Sequence, residues 1–292
     1  DDKEIRRIDF RDLRKLKILI YVGLDLLGDA LIKLPFLICL KKTFPNAHIT
    51  WLAGKGKSEF SKTLKPLSVG LIDKIIDEVD FGSKISDLFR EPISGKYDFV
   101  IDTQKRVLTT LIVKRIKTKI FVSPCANYIF SDLKPSNHKI KNLSLQLLQL
   151  TQIFNHKKIN YVIKKKFIKS NKVAICPGAS VIWKRWSFDN FIEIANHLIK
   201  KKLLPVFILG PQERHLERNL IREFKGKVSI FVSDDPMKTI SISKKCKAGI
   251  SNDTGCGHLI ASSGIPTLSL FGPTDYKKFS PLGNEKNTSI AS

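Results

Sequence analysis

Short unbroken apolar runs alternate along this chain with longer stretches whose apolar residues recur at three- and four-residue spacing. Residues 16–22 (LKILIYV) read as a strand covered on both faces. A glycine-containing loop, 23–28, leads to helical spacing over 29–43, and 48–53 predicts the next strand. Residues 98–102 (DFVID) predict a strand that ends in polar residues.

The pattern repeats in the second half. A lysine-rich segment, 157–172, reads as a linker, and 172–176 as a short strand leading into the turn Pro177-Gly178-Ala179-Ser180. Ser187 is placed to cap a helix whose Phe191, Ile194, Ala195, Leu198 and Ile199 form one face. Residues 204–209 predict a strand closed by Gly210-Pro211, and 212–224 a charged helix. Residues 228–232 and 248–251 predict two more strands.

Alternating strands and helices build parallel sheets with right-handed crossovers. Two such series in 292 residues predict two Rossmann-like domains facing a cleft. Their expected extents are 1–160 and 161–292. Ligands of such folds bind beyond the carboxyl ends of the strands, where the polar turns fall.

Charge narrows the classes of partner. Lys plus Arg number 51 against 27 Asp plus Glu, a formal net charge of +24. An excess of that size attracts nucleic acid, anionic lipid head groups or phosphorylated substrates, or simply keeps the surface solvated. Lys164-Lys165-Lys166 is a local cluster. Five cysteines at wide spacing, with no C-x-x-C pair, suggest neither a zinc site nor a disulfide framework, so a reducing compartment is expected. No apolar stretch is long enough to span a bilayer. The chain opens at Asp1 without a Met, so an N-terminal piece is expected to be missing.

Candidate chemistry gathers in the turns. In SNDTGCGHLIASSGIPTLSLFGPTD (251–275), Asp253 or Thr254 can cap a helix that ends near Ser263, with Gly264 as the stop. The free amides of Thr254, Gly255 and Cys256 would then offer an anion site. His258, one turn in, is either a further donor to that anion or an ordinary satisfied histidine. Lys184 and Arg185 suit a leaving phosphate, unless they are a solvated basic turn beside a core Trp186. Ser180, in the turn just before them, is a further candidate. Asp29 after Gly28 is a helix cap or, facing a cleft, a general base. No D-x-D sequence and no His/Cys cluster at metal spacing occurs, so no metal is expected to hold a diphosphate. G-x-G-x-x-G and G-x-x-x-x-G-K-[ST] are absent too.

DTGCGHLIASSGIPTLSLFGPTD resembles the signature of the bacterial lipopolysaccharide heptosyltransferases, glycosyltransferase family nine. PGASVIWKRWSFDNFIEIANHL and LDLLGDALIKLPFL agree with it, and the resemblance runs in order from about Leu16 to Gly283. It implies an α/β protein of GT-B architecture and an inverting, metal-independent glycosyltransferase without cofactor. Such an enzyme moves heptose from ADP-heptose to an anionic glycolipid acceptor of the lipopolysaccharide core type. Carried over by motif, Asp29 matches the catalytic base and Lys184 the donor-phosphate lysine. Asp253, Thr254, Gly255 and His258 match the donor site.

The resemblance also implies a cytoplasmic protein, with peripheral contact on the anionic inner face of the inner membrane and no nucleic-acid partner. Two departures bear on the acceptor: Gly23 or Leu26 stands where relatives carry a basic residue, and Cys256-Gly257 replaces bulkier residues. GT-B chains usually continue through helices beyond the last strand, so the C-terminus is expected to be truncated. A transferase of the same fold with another nucleotide sugar, a basic nucleic-acid-binding protein and a non-catalytic binding protein stay open as alternatives.

Overall fold

The computed structural model describes residues 16–135, 140–155, 161–163 and 169–291. They form two α/β units, each built on a parallel sheet of the Rossmann-like kind.

The first unit holds residues 16–26, 36–135 and 147–155. Its strands are β1 (Lys17–Leu24), β2 (His48–Lys55), β3 (Lys74–Ile76), β4 (Tyr97–Asp102) and β5 (Thr118–Val122). Their order is β3-β2-β1-β4-β5, and every pairing is parallel, as in Lys17 with His48 and Ile18 with Phe99. Helices α2 (Lys65–Ser68) and α3 (Val107–Lys114) belong to this unit, which also holds the later turns of α1 (Leu27–Thr43) and α4 (Leu143–Asn155).

Covering on both faces is why β1 is an unbroken apolar run. Ile18, Leu19, Ile20 and Val22 are fully buried. Leu19 and Tyr21 pack with Val100, Phe121 and the α3 residues Ile112 and Val113. Each such side chain contributes about 1.5–3 kcal/mol of burial.

The second unit holds residues 27–35, 140–146 and the described residues from 161 onward. Its strands are β6 (Lys172–Cys176), β7 (Leu204–Leu209), β8 (Ser229–Val232), β9 (Ala248–Asn252), β10 (Thr267–Phe271) and β11 (Thr288–Ala291). Helices α5 (Phe188–Lys200), α6 (Glu217–Phe224), α7 (Pro236–Ser243), α8 (Gly255–Ser262) and α9 (Tyr276–Phe279) join them. Phe191 and Ala195 on α5 are buried against Ile175, Phe207 and Phe224, as the spacing predicts.

The strand order is β11-β10-β9-β6-β7-β8. From central β6 the chain builds outward to β8, then returns to lay β9 on β6's other side. Cys176 pairs with Ser251 at that point. Neighbouring connections leave in opposite directions there, which opens a crevice beyond the strand ends.

Two local expectations change. Residues 212–224 are not one helix: a 3₁₀ turn, Pro211–Leu216, precedes α6. That tighter winding turns Glu213 inward, leaving it 7% exposed. Ser187 is the residue before α5 but its hydroxyl makes no capping bond. Much of the 157–172 linker, including Lys164-Lys165-Lys166, lies outside the described residues. Among the described residues no helix is long and apolar enough to cross a membrane.

Candidate functional site

Beyond the ends of β6 and β7, beside the start of α8, lies a cavity of about 390 Å³. Gly178, Ser180, Glu213, Asp235, Thr254 and Cys256 are among the residues on its wall.

Helix α8 points its N-terminus at this cavity. Thr254 is the residue before the helix, in extended conformation, and its side chain makes no capping bond. The backbone amides of Gly255, Cys256 and Gly257 therefore have no partner within the helix. Thr254 Oγ1 is itself buried without a hydrogen-bond partner among the described residues. A hydroxyl in that condition costs about 1–3 kcal/mol unless something satisfies it. Three amides, one hydroxyl and the positive end of the helix dipole together form an anion site.

The turn is small for steric reasons. A Cβ on Gly257 would lie 2.5 Å from Ser251 Oγ, and one on Gly255 would lie 3.0 Å from Leu27 Cδ2. The helix end thus seats against β9 on one side and the first turn of α1 on the other.

Asp253 stands beside this turn. Its Oδ2 accepts hydrogen bonds from Lys184 Nζ at 2.8 Å and Thr274 Oγ1 at 2.5 Å. It thereby ties the Asp-Thr-Gly turn to the Gly272-Pro273-Thr274-Asp275 turn. Arg185 is held apart from Lys184: its Nε donates to Ala179 O at 2.8 Å, and its guanidinium pairs with Glu213 at 3.5 Å. Neither cation is a bare solvated charge.

Asn252 fixes the loop that carries both cations. Its Nδ2 donates to Pro177 O at 2.7 Å, and its Oδ1 accepts from Trp186 N at 3.2 Å. Trp186 leans edge-on against buried Phe191, with centroids 5.2 Å apart.

His258 is 8% exposed, and its amide bonds Thr254 O. Burial pulls its pKa down to about 4; the Asp253 carboxylate opposes that and the Lys184 ammonium reinforces it. It is neutral at neutral pH and offers one N–H rather than a positive charge.

Asp29 is not the cap of α1. Leu26 precedes the helix and Asp29 lies inside its first turn, where its carbonyl accepts from Lys33 Nζ at 2.9 Å. Leu27 from the same turn lines the cavity. Asp29, Lys184, Arg185, Asp253 and His258 are not on the cavity wall, whereas Ser180, Thr254, Gly255 and Cys256 are.

Two features escape a reading of the sequence. Glu213 looks like one more charge on a solvated helix, yet a Cβ on Gly178 would come within 2.5 Å of its carboxyl carbon. Only the paired glycines Gly178 and Gly210 hint that a side chain packs over them. The second feature corrects the expectation drawn from the cysteines: Cys176 and Cys256 form a disulfide across 80 residues. Wide spacing carries no signal for such a pair, because the β6–β9 register and the turn from β9 into α8 bring the two together.

In the first unit the strand ends carry two fully buried carboxylates. Asp25 Oδ2 accepts from Trp51 Nε1 at 3.1 Å and Ser58 Oγ at 2.6 Å. Asp102 accepts from Thr110 Oγ1, Ser123 Oγ and the Gln104 amide. Burial pushes the Asp102 pKa up to about 6, against the pull of those three donors.

Comparison with known proteins places this geometry. Residues 132–291, more than half of the chain, match Glycosyltransferase family 9 (heptosyltransferase). The chain is 25% identical over 273 residues to lipooligosaccharide heptosyltransferase 2 of Campylobacter jejuni, covering 89% of this chain and 82% of that protein. It is 23% identical over 294 residues to lipopolysaccharide heptosyltransferase 3 of Escherichia coli, covering 87% and 82%. Among solved structures, E. coli heptosyltransferase WaaC with ADP is similar at TM-score 0.69 and 18% identity, over 95% of this chain and 93% of that one. E. coli ADP-heptose lipopolysaccharide heptosyltransferase II gives TM-score 0.64 at 17% identity, over 94% and 90%. The fold is that of these GT-B heptosyltransferases. With its cavity at the end of α8 and its Asp-Thr-Gly turn tied to Lys184, the chain belongs to glycosyltransferase family 9, the heptosyltransferases.

Proposed function

We propose that this glycosyltransferase moves heptose from ADP-heptose to an acceptor of the lipopolysaccharide core type, with inversion at the anomeric carbon. The observation that carries the reading is the buried, unpartnered hydroxyl of Thr254 at the open N-terminus of α8, on the wall of the cavity. The relatives support the choice of donor: the WaaC structure contains ADP, and a second WaaC structure contains ADP-2-deoxy-2-fluoro heptose.

The diphosphate sits at the amides of Gly255 and Cys256 and the Thr254 hydroxyl, with Lys184 adding a positive charge beside them. Acceptors along the rest of the wall, Glu213 and Asp235, take hydrogen bonds from nucleoside hydroxyl or amino groups. Asp29 removes the proton of the acceptor hydroxyl as its oxygen attacks the anomeric carbon opposite the departing diphosphate. Charge developing on the leaving group is met by oriented amides and by Lys184, groups already in place before reaction. An anionic glycolipid acceptor at a membrane surface accounts for the +24 charge.

Calorimetric titration with ADP, UDP, GDP and CMP tests the donor. ADP is expected to bind selectively and to bind more weakly to the Lys184→Ala variant. Preferential binding of UDP or GDP would overturn the heptose assignment, and absence of all binding would overturn the donor site itself.

A further inference from the structure

We propose that Cys176 and Cys256 form a reversible redox modification site in the wall of the donor cavity, and that its oxidation state sets the affinity for the donor. The inference rests on the reading above, in which the diphosphate binds at the N-terminus of α8.

The two cysteines come from the two sides of the crevice. Cys176 ends β6, and Cys256 is the second residue of α8. Their Cα atoms are 6.6 Å apart and both side chains line the cavity. Cys176 is 2% exposed, while Cys256 is partly open to solvent. The other three cysteines, Cys39, Cys125 and Cys246, are buried and form no disulfide.

Both redox states fit the site. Oxidised, the pair fastens the first turn of α8 to the end of the central strand. Cys176 Sγ in the disulfide lies 3.3 Å from Ile208 O, which is placed to accept the thiol proton once the pair is reduced. Cys256 then carries a thiol at a helix N-terminus, where the dipole favours the thiolate.

The chemistry is thiol–disulfide exchange with a small disulfide of the glutathione class. The Cys256 thiolate attacks one sulfur of that disulfide, forms a mixed disulfide and releases one small thiol. The Cys176 thiolate then attacks Cys256 Sγ and expels the second. Two protein thiols become one disulfide, the small disulfide is reduced to two thiols, and these take up both protons.

Two effects act in the same direction on the donor. The disulfide holds the Gly255 and Cys256 amides in the geometry that receives the diphosphate, which removes an ordering cost on binding. Reduction frees that turn and adds an ionisable thiol where the ligand's negative charge belongs. The oxidised protein is expected to bind ADP about twofold to tenfold more tightly, the cost of ordering about one side chain.

The full chain is incubated with oxidised or reduced glutathione, mapped by peptide mass spectrometry, and titrated with ADP in each state. A 176–256 disulfide together with tighter ADP binding in the oxidised protein supports the proposal. So does a glutathione adduct trapped on Cys256 in the Cys176→Ser variant, which lacks the second nucleophile. Cysteines that stay reduced in oxidised glutathione overturn it. Equal ADP affinity in the two states also overturns it while leaving the donor site standing. Failure of both states to bind ADP, with the disulfide formed, removes the donor reading and the affinity effect with it.

Discussion

Lys184 donates from Nζ to Asp253 Oδ2 at 2.8 Å, joining positions 69 residues apart in the chain. The lysine side chain is 25% exposed and the aspartate 7%. The pair is therefore sheltered enough for the loss of one partner to matter.

Replacing Lys184 with Met leaves a nearly buried carboxylate without its cation. Stability is expected to fall by about 1–3 kcal/mol, less than for a fully buried pair because the lysine retains some solvent. The double variant with Asp253→Asn should recover part of that loss, a coupling read from a denaturation double-mutant cycle. Strict additivity would mean the two side chains do not support each other.

Thr254→Val separates binding from folding. The hydroxyl has no partner to lose among the described residues, so the unliganded protein is expected to gain about 1 kcal/mol in denaturant unfolding. ADP affinity should nevertheless drop about tenfold, because a hydrogen bond to a charged ligand is removed. Unchanged affinity would take the Thr254 hydroxyl out of the donor site.

Asp29→Asn should leave ADP affinity as it is and slow transfer by roughly 10²–10⁴, the usual contribution of a general base. Asparagine keeps the size of the side chain in the first turn of α1. Full turnover by this variant would assign proton removal elsewhere.

His258 makes stability depend on pH. Its folded pKa is about 4 against an ordinary 6.5. Between those values the unfolded chain binds the proton and the folded protein does not. The contribution is complete above pH 6.5 and is lost as pH falls toward 4, on the order of 3 kcal/mol in all. Asp102, with its folded pKa raised from 3.8 to about 6, works the other way across much of the same window. Thermal unfolding of His258→Gln should show a gentler loss of stability below pH 6.5 than the parent chain. Identical profiles would deny His258 a buried neutral state.

Much of the fold can be read from residue order because parallel strands buried on both faces leave long apolar runs. β6 and β7 begin and end where those runs do. Asp253, Thr254 and Gly255 are legible for a related reason: a turn from strand to helix at a sheet crossover needs small or capping residues. Glu213 is not, since its burial depends on space left by Gly178 and Gly210 in other segments. Nor is the partnership of Cys176 with Cys256, which depends on the register of β6 with β9 and on the turn from β9 into α8. Asp29 looks like a cap from its neighbours alone, but the helix begins earlier, at Leu27.

Asn252 grips the 177–186 loop through main-chain atoms, the Pro177 carbonyl and the Trp186 amide. What it dictates is the route of the chain, not the identity of the residues along it. Ile182 and Trp183 at the crest of that loop are 77% and 67% exposed. They can be exchanged for other residues while the anchor stays fixed, because the carboxamide beneath them holds no side chain of the crest.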